Sequence, residues 1–128
     1  MFQTIKTKAD IGNFLDKTNG LHDGYIIGVW YANDGISKIN GGYFFDPEQT
    51  KLRLKILVTS LHDTIIEIEF ENLVEWQIRD NQFEITDTSV ILDDQNRIIW
   101  SDDIDIDMDQ LKKGSFVVAN SMKWRMLA

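Results

Sequence analysis

Apolar and polar side chains alternate with a period of two through most of the chain after its first twenty residues. In residues 52–58 every second position is leucine, isoleucine or valine, and residues 66–70, 74–78 and 116–126 largely repeat this spacing. A period of two is that of a β-strand with one buried face. Turn-forming residues interrupt the pattern at the spacing of a meander, and no intervening segment is long enough for a parallel crossover. The pattern therefore predicts about seven to nine short, mainly antiparallel strands.

The N-terminal segment is the one stretch with helical periodicity. Ile11, Phe14 and Leu15 share one helix face at i, i+3, i+4 spacing. Thr7 is a suitable N-cap and Gly20 a suitable stop, which predicts a helix over residues 7–20. We therefore expect an α+β fold in which this helix covers a mainly antiparallel, strongly curved meander sheet or partial barrel. The chain of 128 residues has no linker or low-complexity tract, so we predict a single domain over residues 1–128.

Composition excludes several functions. The chain has no cysteine, which removes disulfides, thiolate zinc sites and a cysteine nucleophile. Its net charge of −8 disfavours nucleic acid as a partner, because phosphates would be repelled. The sequence shows no signal peptide, and no apolar run approaches the roughly 18 residues of a membrane span. We therefore expect a cytoplasmic protein that contacts neither membrane nor nucleic acid.

The tripeptide Leu-His-Asp occurs twice, at residues 21–23 and 61–63, and it holds both histidines of the chain. The interpretation that we favour is two similar turns that lead into strands, with the polar side chains capping each turn. The other is a zinc or iron site built from two imidazoles and two carboxylates. That site requires both strand entrances to lie at the same end of the sheet. If residues 39–45 form a complete strand, the entrances lie at opposite ends; if they do not, the ends agree. We predict no metal and no cofactor.

His22 and Asp23 are also a candidate polar site by themselves. They precede the most aromatic strand, residues 25–31, and a histidine oriented by an aspartate can act as a general base. The sequence contains no nucleophile elbow and no phosphate-binding loop. We therefore assign no catalytic residue and predict a protein that is not an enzyme. A deep pocket beside this strand would favour an enzyme instead.

The tryptophans and the aspartate-rich run carry two further expectations. All four tryptophans fall in strand-like segments, which favours a place in the core.

Residues 101–110 contain five aspartates. An EF-hand calcium loop that starts at Asp103 or Asp105 is excluded, because neither has glycine at its sixth position or glutamate at its twelfth. The run is an edge strand whose charges oppose aggregation, or a docking surface for a basic partner. The candidate partner-binding residues are Asp102, Asp103, Asp105, Asp107 and Asp109.

Four segments resemble small bacterial domains, some of which are grouped among the immunity proteins of polymorphic-toxin systems. The matching segments are Leu21-His22-Asp23, residues 52–58, residues 66–72 and the Ala-x-Ser-x-Lys-Trp-Arg pattern of residues 119–125. The resemblance implies a cytoplasmic, non-enzymatic binding protein. The resemblance does not identify the toxin. It also assigns no functional residue of those domains to a position in this sequence.

Three functional hypotheses follow. The first is a non-enzymatic cytosolic binding protein, of the immunity type, whose acidic surface neutralises a basic protein partner such as a toxin. The second is a small-ligand or metal-dependent enzyme with its site near His22 and Asp23. The third is a structural or assembly subunit, which an exposed apolar edge would indicate. The sequence leaves the oligomeric state open.

Overall fold

The computed structural model describes residues 1–79, 84–103 and 114–127. Its elements follow one another as β1 (Gln3–Ile5), α1 (Lys8–Lys17), β2 (Gly24–Asn33), β3 (Ile36–Ile39), β4 (Gly42–Phe45), β5 (Thr50–Val58), β6 (Thr64–Gln77), β7 (Ser89–Leu92), β8 (Ile98–Ser101) and β9 (Phe116–Leu127). Short 3-10 turns over Asn19–Leu21, Pro47–Gln49 and Thr59–Leu61 precede β2, β5 and β6.

The main sheet is antiparallel. Its order is β2-β5-β6-β9-β8-β7, and β1 pairs with β9 beside β8. Strands β3 and β4 form a separate two-stranded sheet. The α+β class, the mainly antiparallel sheet and the single N-terminal α-helix are therefore confirmed for the described residues. Over those residues the sheet is neither closed nor strongly curled, so a partial barrel stays a prediction.

Helix α1 begins at the predicted N-cap. The Thr7 hydroxyl accepts a hydrogen bond from the Asp10 amide, and the Asp10 carboxylate accepts one from the Thr7 amide, which forms a capping box. The helix buries Ile11 and Phe14 and ends at Lys17. Gly20 follows with φ +61°, a left-handed conformation that glycine adopts without a Cβ penalty.

The core lies on one face of β5, β6 and β9, as the alternation predicted. Its fully buried side chains from these strands include Leu52, Leu54, Ile56, Val58, Ile66, Ile68, Phe70 and Met122. Trp124 on β9 meets the Phe14 ring of α1 edge to face, with 5.3 Å between ring centroids. Trp100 is also buried, whereas Trp30 and Trp76 are 51% and 36% exposed. The expectation of a core position is therefore wrong for two of the four tryptophans.

The opposite face of the same strands carries a ladder of charges. Glu67 on β6 lies between Arg53 on β5 and Arg125 on β9, with its Oε1 atom 3.7 Å from Arg53 Nε and 3.0 Å from Arg125 Nη2. Glu69, the next residue on this face of β6, contacts Arg53 and Lys123. Both glutamates are buried by these long side chains. The ladder couples the three central strands in one register.

Residues 39–45 do not form a complete strand. Instead β3 and β4 pair with each other across Asn40 and Gly41, and β2 pairs directly with β5. Asn40 and Gly41 have φ values of +50° and +82°, and an Asn-Gly pair of positive φ closes a tight hairpin. The hairpin is therefore an insertion between β2 and β5.

Candidate functional site

The two Leu-His-Asp turns lie at the same end of the sheet. Two antiparallel steps, from β2 to β5 and from β5 to β6, make β2 and β6 run in the same direction. Each turn has a 3-10 segment followed by an aspartate with positive φ, Asp23 at +58° and Asp63 at +56°. The Asp23 carbonyl accepts hydrogen bonds from the amide and the hydroxyl of Thr59, at 3.2 and 3.0 Å. The entrances are therefore neighbours.

The two histidines nevertheless line different cavities. His62 and Asp63 line a cavity with Met126 and Leu127, whereas His22 lines another with residues before β7 and after β8. Within residues 1–79, 84–103 and 114–127, no group of three or more His, Asp or Glu side chains is arranged to hold a metal ion. The repeat is thus a repeated turn, and its two histidines belong to separate surroundings.

The cavity beside His22 has a volume of about 530 Å³ and is lined by His22, Thr86, Asp87, Asp102 and Asp103. We refer to it as the acidic cavity. It brings together His22 and the first two aspartates of the acidic run, which the sequence placed in separate candidate sites. The other three, Asp105, Asp107 and Asp109, lie outside the described residues.

Backbone contacts fix the aspartates of the acidic cavity. Asp102 follows β8, and its Oδ1 atom accepts a hydrogen bond from the Ser115 amide at 3.0 Å. The Asp87 carboxylate accepts one from the Thr88 amide at 2.9 Å. The Ile85 amide donates to the Gly24 carbonyl at 2.7 Å, which holds the segment before β7 against the start of β2. Three distant parts of the chain therefore converge on His22.

The electrostatics of the acidic cavity favour positive charge. The Thr86 carbonyl, 2.5 Å from His22 Nδ1, raises the pKa of His22, and the nearby charge of Asp23 raises it further. Partial burial raises the pKa of Asp102, although its hydrogen bond to Ser115 opposes this effect. The charge of Arg79 also opposes the rise in the pKa of Asp102, and a protonated His22 or a cationic group from outside would add further positive charge beside these carboxylates.

His22 has the contacts of a possible general base, but the cavity offers it little else. Nδ1 faces the Thr86 carbonyl, and Nε2 lies 3.6 Å from Asp23 Oδ1. Base catalysis needs a nucleophile or a polarised substrate within reach of Nε2. The polar lining besides His22 consists of carboxylates and the Thr86 residue, which suits binding of a cation better than acyl or phosphoryl transfer.

Sequence reasoning missed Thr86 and Asp87. The polar stretch between Ile85 and Val90 was the only signal, and nothing in it indicates contact with residue 22, more than sixty positions away. Glu84 was also missed, although its carboxylate accepts a hydrogen bond from the Tyr25 hydroxyl at 3.1 Å.

The raised pKa of His22 predicts that folding stability depends on pH. Stabilisation by protonated His22 is complete below pH 6.5, the ordinary value of histidine, and is lost as pH rises through the higher pKa of the folded state. We expect His22→Asn to remove this component of the pH dependence, and the matched His62→Asn variant to retain it. Urea denaturation between about pH 5.5 and 8.5 measures both. Identical pH profiles for wild type and His22→Asn would contradict the assignment.

Comparison with known proteins found no matching family model, no matching curated protein and no matching solved structure. Among the described residues, no helix has the length and apolar character that crossing a membrane requires.

Proposed function

We propose that the chain is a non-enzymatic, cytoplasmic binding protein of the immunity type, which neutralises a basic protein toxin through the acidic cavity. The observation that supports it is the meeting of His22, Asp87, Asp102 and Asp103 in one cavity. Their side chains come from the start of β2, the segment before β7 and the end of β8. Such a convergence of carboxylates attracts positive charge, and Arg79, whose charge opposes the rise in the pKa of Asp102, indicates that this side of the cavity accepts a guanidinium group nearby.

The chemistry of the cavity suggests what part of the partner it takes. A guanidinium group forms bidentate, charge-assisted hydrogen bonds with carboxylates, and an arginine side chain is long enough to enter a recess. Asp105, Asp107 and Asp109 follow Asp103 in the chain and add negative charge to the same part of the sequence. Charge complementarity of this kind speeds association and fixes the orientation of the partners.

Neutralising the cavity should weaken binding of a basic partner. We expect the triple variant Asp87→Asn, Asp102→Asn, Asp103→Asn to bind a hexa-arginine peptide at least about tenfold more weakly, because losing even one charge-assisted hydrogen bond costs about 1.5–3 kcal/mol and tenfold corresponds to about 1.4 kcal/mol. Asparagine keeps the size and the acceptor oxygen of aspartate, so the fold should persist. Calorimetric titration at low and moderate salt measures the affinity.

The matched control removes the same number of charges elsewhere, with Asp16→Asn, Asp63→Asn and Asp94→Asn, all of which are exposed. Equal weakening by both variants would show that the peptide responds only to net charge, and would reject the cavity as the site.

Affinity capture from lysate of the source organism then tests whether the partner is a basic toxin. The wild type and the control variant should both retain a basic protein, which should be released as salt rises. The triple variant of the acidic cavity should not retain it.

A small-ligand or metal-dependent enzyme at His22 and Asp23 is the second candidate. Its supporting observation is the volume of the cavity, about 530 Å³, which is within the range of small-molecule sites. Calorimetric titration with zinc discriminates the two candidates. A heat of binding that His22→Asn abolishes would favour the metal-dependent enzyme, and no heat at high micromolar zinc would reject it.

A further inference from the structure

We propose that two copies of this chain associate through the free edges of β2, which pair antiparallel across a two-fold axis. The β3–β4 hairpin of each copy packs beside the β2 strand of the other. This proposal is independent of the acidic cavity, which lies beyond the start of β2. Its evidence is the chemistry of the edge, its exposed area and its symmetry.

From Gly28 onward, the edge of β2 lacks the usual protection against pairing. β2 is an outer strand of the main sheet and spans ten residues without a charge or a proline. Outer strands of monomeric proteins are usually short, charged, bulged or covered. β7, the outer strand on the opposite side, has four residues. In β2 a bulge shifts the register between Ile26 and Gly28, and the following residues pair regularly with β5 as far as Asn33. Within residues 1–79, 84–103 and 114–127, the one backbone pairing on this edge is at its start, the bridge from Gly24 to Ile85.

The exposed apolar area of β2, counted on both of its faces, and of the β3–β4 hairpin is comparable with the area that one partner of a stable dimer buries. Six aromatic side chains, three on β2 and three on β4, are between 38% and 67% exposed, namely Tyr25, Trp30, Tyr31, Tyr43, Phe44 and Phe45. At about 150–250 Å² for each aromatic side chain, half exposure leaves on the order of 600 Å². Exposed Ile27, Val29, Ile36 and Ile39 bring the total close to the roughly 800 Å² that each partner contributes to a standard interface.

The sequence of β2 suits pairing with itself. With the two-fold axis at Trp30, Gly28 lies opposite Ala32 of the other copy, and Val29 lies opposite Tyr31. On one face of the paired strands the two Trp30 side chains meet at the axis, flanked by the small residues Gly28 and Ala32. On the other face the larger apolar residues Val29 and Tyr31 lie opposite each other. The Trp30 ring lies along its own strand, since a Cβ on Gly28 would be 2.3 Å from it. This position leaves the outer edge of the backbone open to a second strand.

The position of the hairpin follows from the same symmetry. β3 begins at Ile36, three residues after β2 ends. In an antiparallel pair, the end of one strand lies beside the start of the other. The hairpin of one copy therefore reaches Tyr25 and Ile27 of the second copy, which are exposed in the single chain. The interface is isologous and closes as a dimer.

Sedimentation velocity from about 1 µM to about 1 mM protein tests the proposal. We expect a monomer–dimer equilibrium that added salt strengthens, because each copy carries a net charge of −8. Val29→Lys should abolish the dimer, since it places a charge in the centre of the paired strands. Ile91→Lys on β7 is the matched control, with 40% exposure against 41% for Val29, and should leave the dimer intact. A wild-type monomer throughout the range, or equal behaviour of the two variants, would overturn the proposal.

A cysteine variant tests the register without a charge in the strand. Because the chain has no cysteine, Trp30→Cys introduces a single thiol. Residues directly opposite in paired strands have Cβ atoms about 4.5–5.5 Å apart, close to the separation of a disulfide. Mild oxidation should give a covalent dimer with Trp30→Cys and none with Ile91→Cys, and the reverse would reject the β2 edge. The triple asparagine variant of the acidic cavity should still dimerise, and Val29→Lys should still bind the hexa-arginine peptide. A failure of the dimer proposal can therefore be distinguished from a failure of the proposed binding function.

Discussion

Trp124→Ala is expected to lower the free energy of unfolding by about 3–5 kcal/mol. The side chain is 1% exposed, and its ring packs on Phe14, which ties helix α1 to the sheet. Trp124 also lies where β9 pairs with β6 on one side and β1 on the other, opposite Ile68 and Gln3. The vacated volume is too enclosed for its neighbours to fill. Since small domains are stable by about 5–15 kcal/mol, the loss is a large part of the total.

Trp76→Ala is the matched control for this prediction. Trp76 lies on β6, is 36% exposed, and stacks on Tyr31 at the surface with 5.5 Å between ring centroids. Its replacement should cost about 1 kcal/mol, because solvent already reaches the ring. Urea denaturation followed by circular dichroism compares the two variants at equal m-values. Equal losses of unfolding free energy in the two variants would mean that the face of β9 that packs against α1 is not the core.

Local sequence patterns were sufficient to predict the helix and the central strands. The Thr7 cap needs only Asp10, three residues on, and the alternation in residues 52–58 needs only a sheet with one buried face. Neither depends on the order of strands in the sheet. These features could therefore be predicted from the sequence, to within a few residues at each end.

The predictions from sequence were wrong where the exposure of a residue depends on the order of strands in the sheet. The pattern of β2 predicts a strand, but its exposure depends on whether another strand lies beside it. Trp30 is exposed because β2 is at the edge of the described sheet, whereas Trp100 on β8 is enclosed. The insertion of the β3–β4 hairpin also changed which strands are neighbours. A turn at Asn40 and Gly41 determined that arrangement, and alternation alone cannot show it.

Three of the five residues that line the acidic cavity could be found from the sequence. His22 and the aspartates at 102 and 103 stood out by residue type and clustering. Their meeting depends on the Ile85 amide bonding to the Gly24 carbonyl, a contact between residues far apart in the chain. Asp87 enters the cavity through that same contact. No local pattern reports such long-range pairing.

The charge ladder leads to the second large effect. We expect Glu67→Ala to lower the free energy of unfolding by about 2–4 kcal/mol, somewhat less than the roughly 3–5 kcal/mol for breaking a fully buried ion pair. The Glu67 side chain is 2% exposed, and its removal leaves the guanidinium groups of Arg53 and Arg125 without their shared carboxylate. Among the residues that the structure describes, none is a hydrogen-bond partner of Arg125 Nε. Both arginines remain partly hydrated, which limits the cost.

Glu71→Ala provides the comparison on the same strand and face. Glu71 pairs with Lys123 at 3.3 Å, but its side chain is 37% exposed, so its loss should cost less than about 1 kcal/mol. Urea denaturation at low and high salt separates the two cases. The Glu67→Ala loss should persist at high salt, because ions screen a buried pair poorly, and the smaller Glu71→Ala loss should shrink. A salt-sensitive loss of equal size in both variants would mean that the ladder acts as surface charge, and that core packing alone fixes the register of β6 against β9.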